Sequence, residues 1–139
     1  MLRLIAGYLA TGLAFALVDA VWLTQVGPKL YRPALDPVLA DQFRLGPAIA
    51  FYLIYILGVL LLVVLPADRE GSWLKATTNG AILGAMAYAT FDLTNQATLK
   101  VWTTQISVLD IAWGAVLTAA AATAGFFAVR AVTKAWASG

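Results

Sequence analysis

Of the 139 residues, 62% are hydrophobic and only 12% charged, against roughly 25% charged in a soluble domain, and so small a fold cannot hide that much apolar surface from water. Cysteine and histidine are absent, which excludes disulfides, haem and zinc sites and every histidine-based triad, and no cofactor is suggested by the residues that remain. The net charge of +2, carried on basic residues at segment ends, excludes a nucleic-acid surface and leaves membrane lipid as the partner.

The first apolar run, "LIAGYLATGLAFALVDAVWL", follows Arg3 in the manner of a signal peptide. It continues to Val26, and is read as an uncleaved span over about residues 4–26. Crossing some 30 Å of hydrocarbon takes about 20 helical residues. Three further runs meet that length, at about 47–65, 76–99 and 106–129. None alternates with period two, so a helical bundle is expected rather than a barrel. Pro47 and Pro66 are expected to open and close the second span.

Between spans one and two lies "GPKLYRPALDPVLADQFRLG" (27–46). Its piece 36–43 is expected as a short interfacial helix, with Asp36 as cap and Pro37 in the first turn. "PADREGSW" (66–73) reads as a polar turn, and "KVWTTQ" (100–105) makes a tight hairpin of spans three and four. The expected fold is therefore all-α: one domain over 1–139, an antiparallel four-helix membrane bundle with a short interfacial segment. Arg3, Arg69, Lys75, Arg130 and Lys134 fall on the side of the termini, and Lys29, Arg32, Arg44 and Lys100 on the other. Five against four favours cytoplasmic termini. Trp73 and Trp136 are expected as interface-belt residues on the terminal side.

Three aspartates interrupt the apolar runs. Asp19 lies two turns before the end of span one, Asp92 two turns before the end of span three, and Asp110 one turn into span four. The alternating directions of the spans bring all three to one depth, in the outer half of the bundle. A charged Asp at a span centre costs about 2.5–3.5 kcal/mol, so the three should face inward around one pocket. The i,i+3 spacing pairs Asp19 with Trp22, Asp92 with Asn95 and Asp110 with Trp113, and an indole N–H is a suitable donor to a carboxylate. Thr94, Tyr88, Thr98, Gln25 and Trp102 are candidates for the same layer, and Lys100, with Arg44 or Arg32, for neutralising it.

Three carboxylates against one or two cations leave an imbalance for a proton or a bound cation to meet. Polar residues between spans also serve simply as helix glue, for under about 1–2 kcal/mol each. "GAILG" (80–84) is a GxxxG packing motif, for a neighbouring helix within the chain or, alternatively, a homodimer. Tyr52 and Tyr55 are candidate hydroxyl donors, although membrane aromatics more often pack or anchor at the interface.

"FYLIYILG", "FDLTNQATLKVW", "LDIAWG" and "DAVWL" resemble domain-of-unknown-function family 2177 of predicted bacterial membrane proteins. That resemblance covers nearly the whole chain. It implies a multi-pass protein of four spans in the bacterial inner (plasma) membrane, and directs attention to lipid as a substrate. It supplies no catalytic residues.

Three functions fit these residues. The first is an acidic intramembrane pocket that binds or translocates a small cation, a proton or an amphiphile, since protonatable intramembrane carboxylates are the usual means of proton coupling. The second is a lipid (fatty-acyl) modifying enzyme or its accessory, with Asp92 and Asp110 as general acid and base or as ligands of a hard divalent ion. The third is a structural subunit of a membrane complex.

Overall fold

The computed structural model describes residues 1–137, with only the backbone of the last two, so the expectation for Trp136 lies outside the described residues. These residues are helical apart from short connections, as the composition predicts. The long helices are α1 (Leu2–Gln25), α4 (Leu45–Glu70), α5 (Trp73–Thr98) and α6 (Thr104–Ala137). The short turns α2 (Gly27–Leu30) and α3 (Arg32–Leu35) lie between α1 and α4.

The helix α1 shows how the sequence chooses its solvent. Gly7, Thr11, Phe15 and Asp19, spaced by four, form its buried stripe. Leu9, Leu13, Leu17 and Val21, also spaced by four, are about 60% exposed. A threonine and an aspartate inside with leucines outside invert the pattern of a soluble helix. The polar side chains turn toward the protein and the leucines away from it, so the outer surface faces hydrocarbon.

By length and composition α1, α4 and residues 104–135 of α6 are able to cross a membrane. The helix α5 is less apolar, largely because of its threonines. Thr77, Thr78, Thr90, Thr94 and Thr98 each give their hydroxyl to the carbonyl one turn back. Their polar atoms are thus satisfied within the helix.

Two boundaries differ from the sequence expectation. The helix α4 does not stop before Pro66 but continues to Glu70. Residues Leu60–Val64 form a π-helical turn, in which the Leu65 N–H reaches back to Leu60 O. That wider register accommodates the proline ring and its missing N–H, which would otherwise disrupt the i→i−4 ladder. The true turn is Gly71–Ser72. Gly71 takes the left-handed conformation (φ 67°), and the amides of Gly71 and Ser72 bond Asp68 O (3.0 Å) and Ala67 O (3.1 Å), a Schellman close. Ser72 Oγ then accepts the Lys75 amide (3.2 Å) and starts α5.

The second correction concerns the linker. Helical structure there occupies 27–38 rather than 36–43: Pro28 and Pro33 sit in the first turns of α2 and α3, a 3₁₀ turn spans Asp36–Val38, and residues 39–44 are irregular. Proline at a first turn costs no hydrogen bond, and two such starts fold the linker back towards the bundle.

Packing is closest between α5 and α6. A Cβ on Gly84 would overlap Gly114 O and the Thr118 side chain, so the GxxxG motif brings these two backbones together within the chain. The core runs along the axis, from Phe15, Ile56, Leu117 and Ala121 to Val59, Val63, Val64 and Val129. It ends at Ala67, Ala76 and Phe126. Arg130, over the Phe126 ring, pairs with Asp68 at 3.7 Å, tying α6 to the end of α4.

Candidate functional site: an acidic layer behind aromatic walls

Above Phe15 the core turns polar. Asp19 on α1 is 7% exposed, Asp110 on α6 is 6% exposed and Asp92 on α5 is fully buried. Asp19 and Asp110 lie within electrostatic reach of each other, as do Asp110 and Asp92.

Their donors come mostly from other elements. The Tyr52 hydroxyl on α4 donates to Asp19 Oδ2, and the Trp113 indole to Asp19 Oδ1 at 3.4 Å. The Tyr31 hydroxyl, between α2 and α3, donates to Asp110 Oδ1 and accepts from Trp22 Nε1 at 2.9 Å. Trp22 and Trp113 stack with centroids 4.5 Å apart and planes 10° apart. Each tryptophan of the two D-x-x-W motifs therefore serves the other motif's aspartate, Trp113 directly and Trp22 through Tyr31. The i,i+3 pairing expected within each helix is replaced by pairing across the interface, because a helical side chain leans back over its own N-terminal turn and faces the neighbouring helix.

Asp92 differs from the other two. Neither of its carboxylate oxygens makes a hydrogen bond of ordinary geometry among the described residues, although the Trp102 indole N–H lies close by. The nearby Trp102 gives its indole N–H to Ser107 Oγ (3.2 Å), whose hydroxyl goes on to Gln96 Oε1 (2.7 Å). Among the described residues the ion pairs are Lys75–Glu70 and Arg130–Asp68. Among those residues no basic side chain is paired with Asp19, Asp92 or Asp110. No three acidic side chains among the described residues are placed to hold one metal ion.

The remaining sequence candidates are placed as follows. Tyr88 lies in the layer, its ring against Gly114. Thr94 and Thr98 are exposed and bonded to their own helix, Asn95 is half-buried, and Lys100 and Gln25 are exposed. Tyr52, raised as a hydroxyl donor, supplies Asp19, and Tyr55 is bonded to Thr118 Oγ1 at 2.8 Å. Tyr31 is a residue that sequence reasoning missed. Its one signal is its position between two proline-started turns in "GPKLYRP". Burial, and then its bond to Asp110, push the Tyr31 phenol above the ordinary tyrosine range, so it stays a donor.

Two cavities meet this layer. One of about 480 Å³ is lined by Asp19, Asp110, Trp22, Trp113, Tyr31 and Trp102, among others. The second, about 310 Å³, lies between Phe51 on α4 and Ala87, Tyr88 and Phe91 on α5, with Asp110 at its inner end. It exists because α4 packs on α5 mainly from the π turn onward, while its first half leans on α1. The phenyl rings at its mouth are 44% and 57% exposed. The groove thus opens sideways, through the helix wall.

Residues 4–127 match the family model described as a predicted membrane protein, DUF2177. The chain belongs to the DUF2177 family. No curated protein and no solved structure matches it. Family and apolar helices together make this DUF2177 member an integral membrane protein.

Proposed function

We propose that all four long helices of this DUF2177 protein cross the bacterial inner membrane as an antiparallel bundle with cytoplasmic termini. In this reading Asp19, Asp92 and Asp110 make an acidic intramembrane pocket that binds, or carries across, a small cation, a proton or an amphiphile. One observation carries the reading: two buried carboxylates, Asp19 and Asp110, line cavities large enough for a small molecule, about 300 Å³ or more, and with Asp92, in electrostatic reach of Asp110, they have no basic partner among the described residues. Buried charge is normally paired, and glue alone needs no cavity. The internally satisfied threonines of α5 support its placement in lipid.

The lateral groove beside Asp110 favours a second reading, an enzyme or accessory acting on a membrane lipid, with Asp92 and Asp110 as acid and base.

The test is a thermal-shift panel in neutral detergent, with sodium, magnesium, extracted bacterial lipid and alkylammonium as additives. A saturable rise in melting temperature that Asp19→Asn/Asp110→Asn loses supports the pocket. No rise with any additive, or a rise the double variant keeps, overturns it.

A further inference from the structure

We propose that the occupant of the pocket is an organic ammonium amphiphile, a single cationic nitrogen head on an alkyl chain, with the head among the aspartates and tryptophans and the chain in the groove between Phe51 and Phe91. This rests on the acidic-pocket reading and names the ligand class.

Charge sets the first constraint. Among the described residues Asp19, Asp92 and Asp110 have no lysine or arginine paired with them, and Asp92 is wholly buried with no hydrogen bond of ordinary geometry to either oxygen. An occupant that brings positive charge is therefore favoured over a neutral or anionic one, because an unpaired buried carboxylate is among the least favourable groups in a low-dielectric interior.

Geometry sets the second. A hard metal ion needs several oxygen ligands converging at 2–2.6 Å or so. Here Asp19 and Asp110 line the cavity and Asp92 lies outside its lining, and no three acidic groups among the described residues are placed to close on one ion. A diffuse organic cation needs no such convergence.

The walls set the third. Trp22, Trp113, Trp102, Tyr31 and Tyr88 line the larger cavity, and aromatic faces attract quaternary and primary ammonium groups through their quadrupoles. The indole N–H groups and the Tyr31 hydroxyl are already committed, Trp22 to Tyr31, Tyr31 to Asp110, Trp113 to Asp19, and Trp102 to Ser107, which leaves the Tyr88 hydroxyl as the uncommitted donor of these rings. Apart from that one hydroxyl the cavity presents acceptors and π faces, which suit a cation. A phosphate or carboxylate head would find neither an arginine, a lysine nor a free indole N–H there. The groove at Phe51, Ala87 and Phe91 is apolar and opens towards lipid, as an alkyl tail requires.

The experiment uses full-length protein in nanodiscs of zwitterionic lipid, with tryptophan fluorescence as readout, since Trp22, Trp102 and Trp113 line the cavity. Dodecyltrimethylammonium, dodecanol, dodecyl phosphate, tetramethylammonium and magnesium are titrated separately. Saturable binding of dodecyltrimethylammonium is expected, at least tenfold tighter than tetramethylammonium, with no saturable binding of the alcohol or the phosphate. Asp110→Asn is expected to weaken it tenfold or more, and Trp22→Leu by about tenfold. Phe51→Ala, on the exposed rim, should reduce the advantage of the dodecyl chain while sparing tetramethylammonium. It stands in as the test if Asp110→Asn does not fold.

Dodecanol or dodecyl phosphate binding as tightly as the ammonium, with loss in Asp110→Asn, overturns the ammonium assignment and leaves the acidic pocket standing. Magnesium binding that Asp110→Asn abolishes, with no ammonium binding, does the same. No saturable binding of any probe overturns both.

Discussion

Tyr31 closes the acidic layer from outside the long helices, and its contribution is separable from theirs. A hydrogen bond to a charged acceptor is worth about 1.5–3 kcal/mol, so Tyr31→Phe should lower stability by about that amount at neutral pH. The phenol's folded-state pKa is raised above its unfolded value. Its stabilisation is therefore complete below about pH 10, the ordinary tyrosine value, and is lost as pH rises above it. The unfolding midpoint of wild type should fall more steeply than that of Tyr31→Phe between pH 9.5 and 11.5, narrowing the gap between them. A gap that stays constant across that range would mean the phenol makes no such bond. Asp92 presents the opposite case: a buried carboxylate without a hydrogen bond of ordinary geometry is a position where removing charge relieves the fold.

At the scale of elements, the α5–α6 hairpin is held by close backbone approach rather than by apolar burial, because lipid tails are as apolar as the side chains. Gly84→Leu should cost at least about 1–3 kcal/mol by overpacking, since even a Cβ overlaps Gly114 O. Gly58 in α4 is the control, as a Cβ there meets nothing within 4 Å, and Gly58→Ala should stabilise by about 0.5–1 kcal/mol. Thermal unfolding of both variants checks the pair, and equal effects would contradict the packing described. Helix existence was legible in the sequence because apolar runs of span length have few other solutions. The end of α4 was not, since a π turn lets the helix pass Pro66 and no local residue pattern announces that turn. The linker's helical turns were only partly placed: Pro28, Pro33 and Pro37 each start a turn, whereas the sequence reading used Pro37 alone, and the docking of Tyr31 on Asp110 has no local signal. The aspartates were legible because charge in lipid is costly. Their partners were not, since the exchange of Trp22 and Trp113 depends on helix rotation and on contacts up to 94 positions apart.

For the whole molecule, the inverted polarity of α1 and the satisfied threonines of α5 argue for four crossings. The chain has no native cysteine, so single-cysteine labelling in intact cells reads topology directly. Asp41→Cys and Gln105→Cys should react with an impermeant maleimide from outside, and Arg69→Cys only after lysis. Labelling of all three from one side would contradict the four-span arrangement. The acidic layer is the feature for which this architecture offers no structural necessity, and it has a decisive assay. The thermal stability of wild type and Asp92→Asn should be compared in lipid nanodiscs, each with and without dodecyltrimethylammonium. The account predicts that the variant is the more stable without ligand, by about 1–3 kcal/mol, and that wild type gains more than the variant on adding the ammonium. A destabilised variant beside an unresponsive wild type would contradict it, and would make Asp92 a structural link between helices.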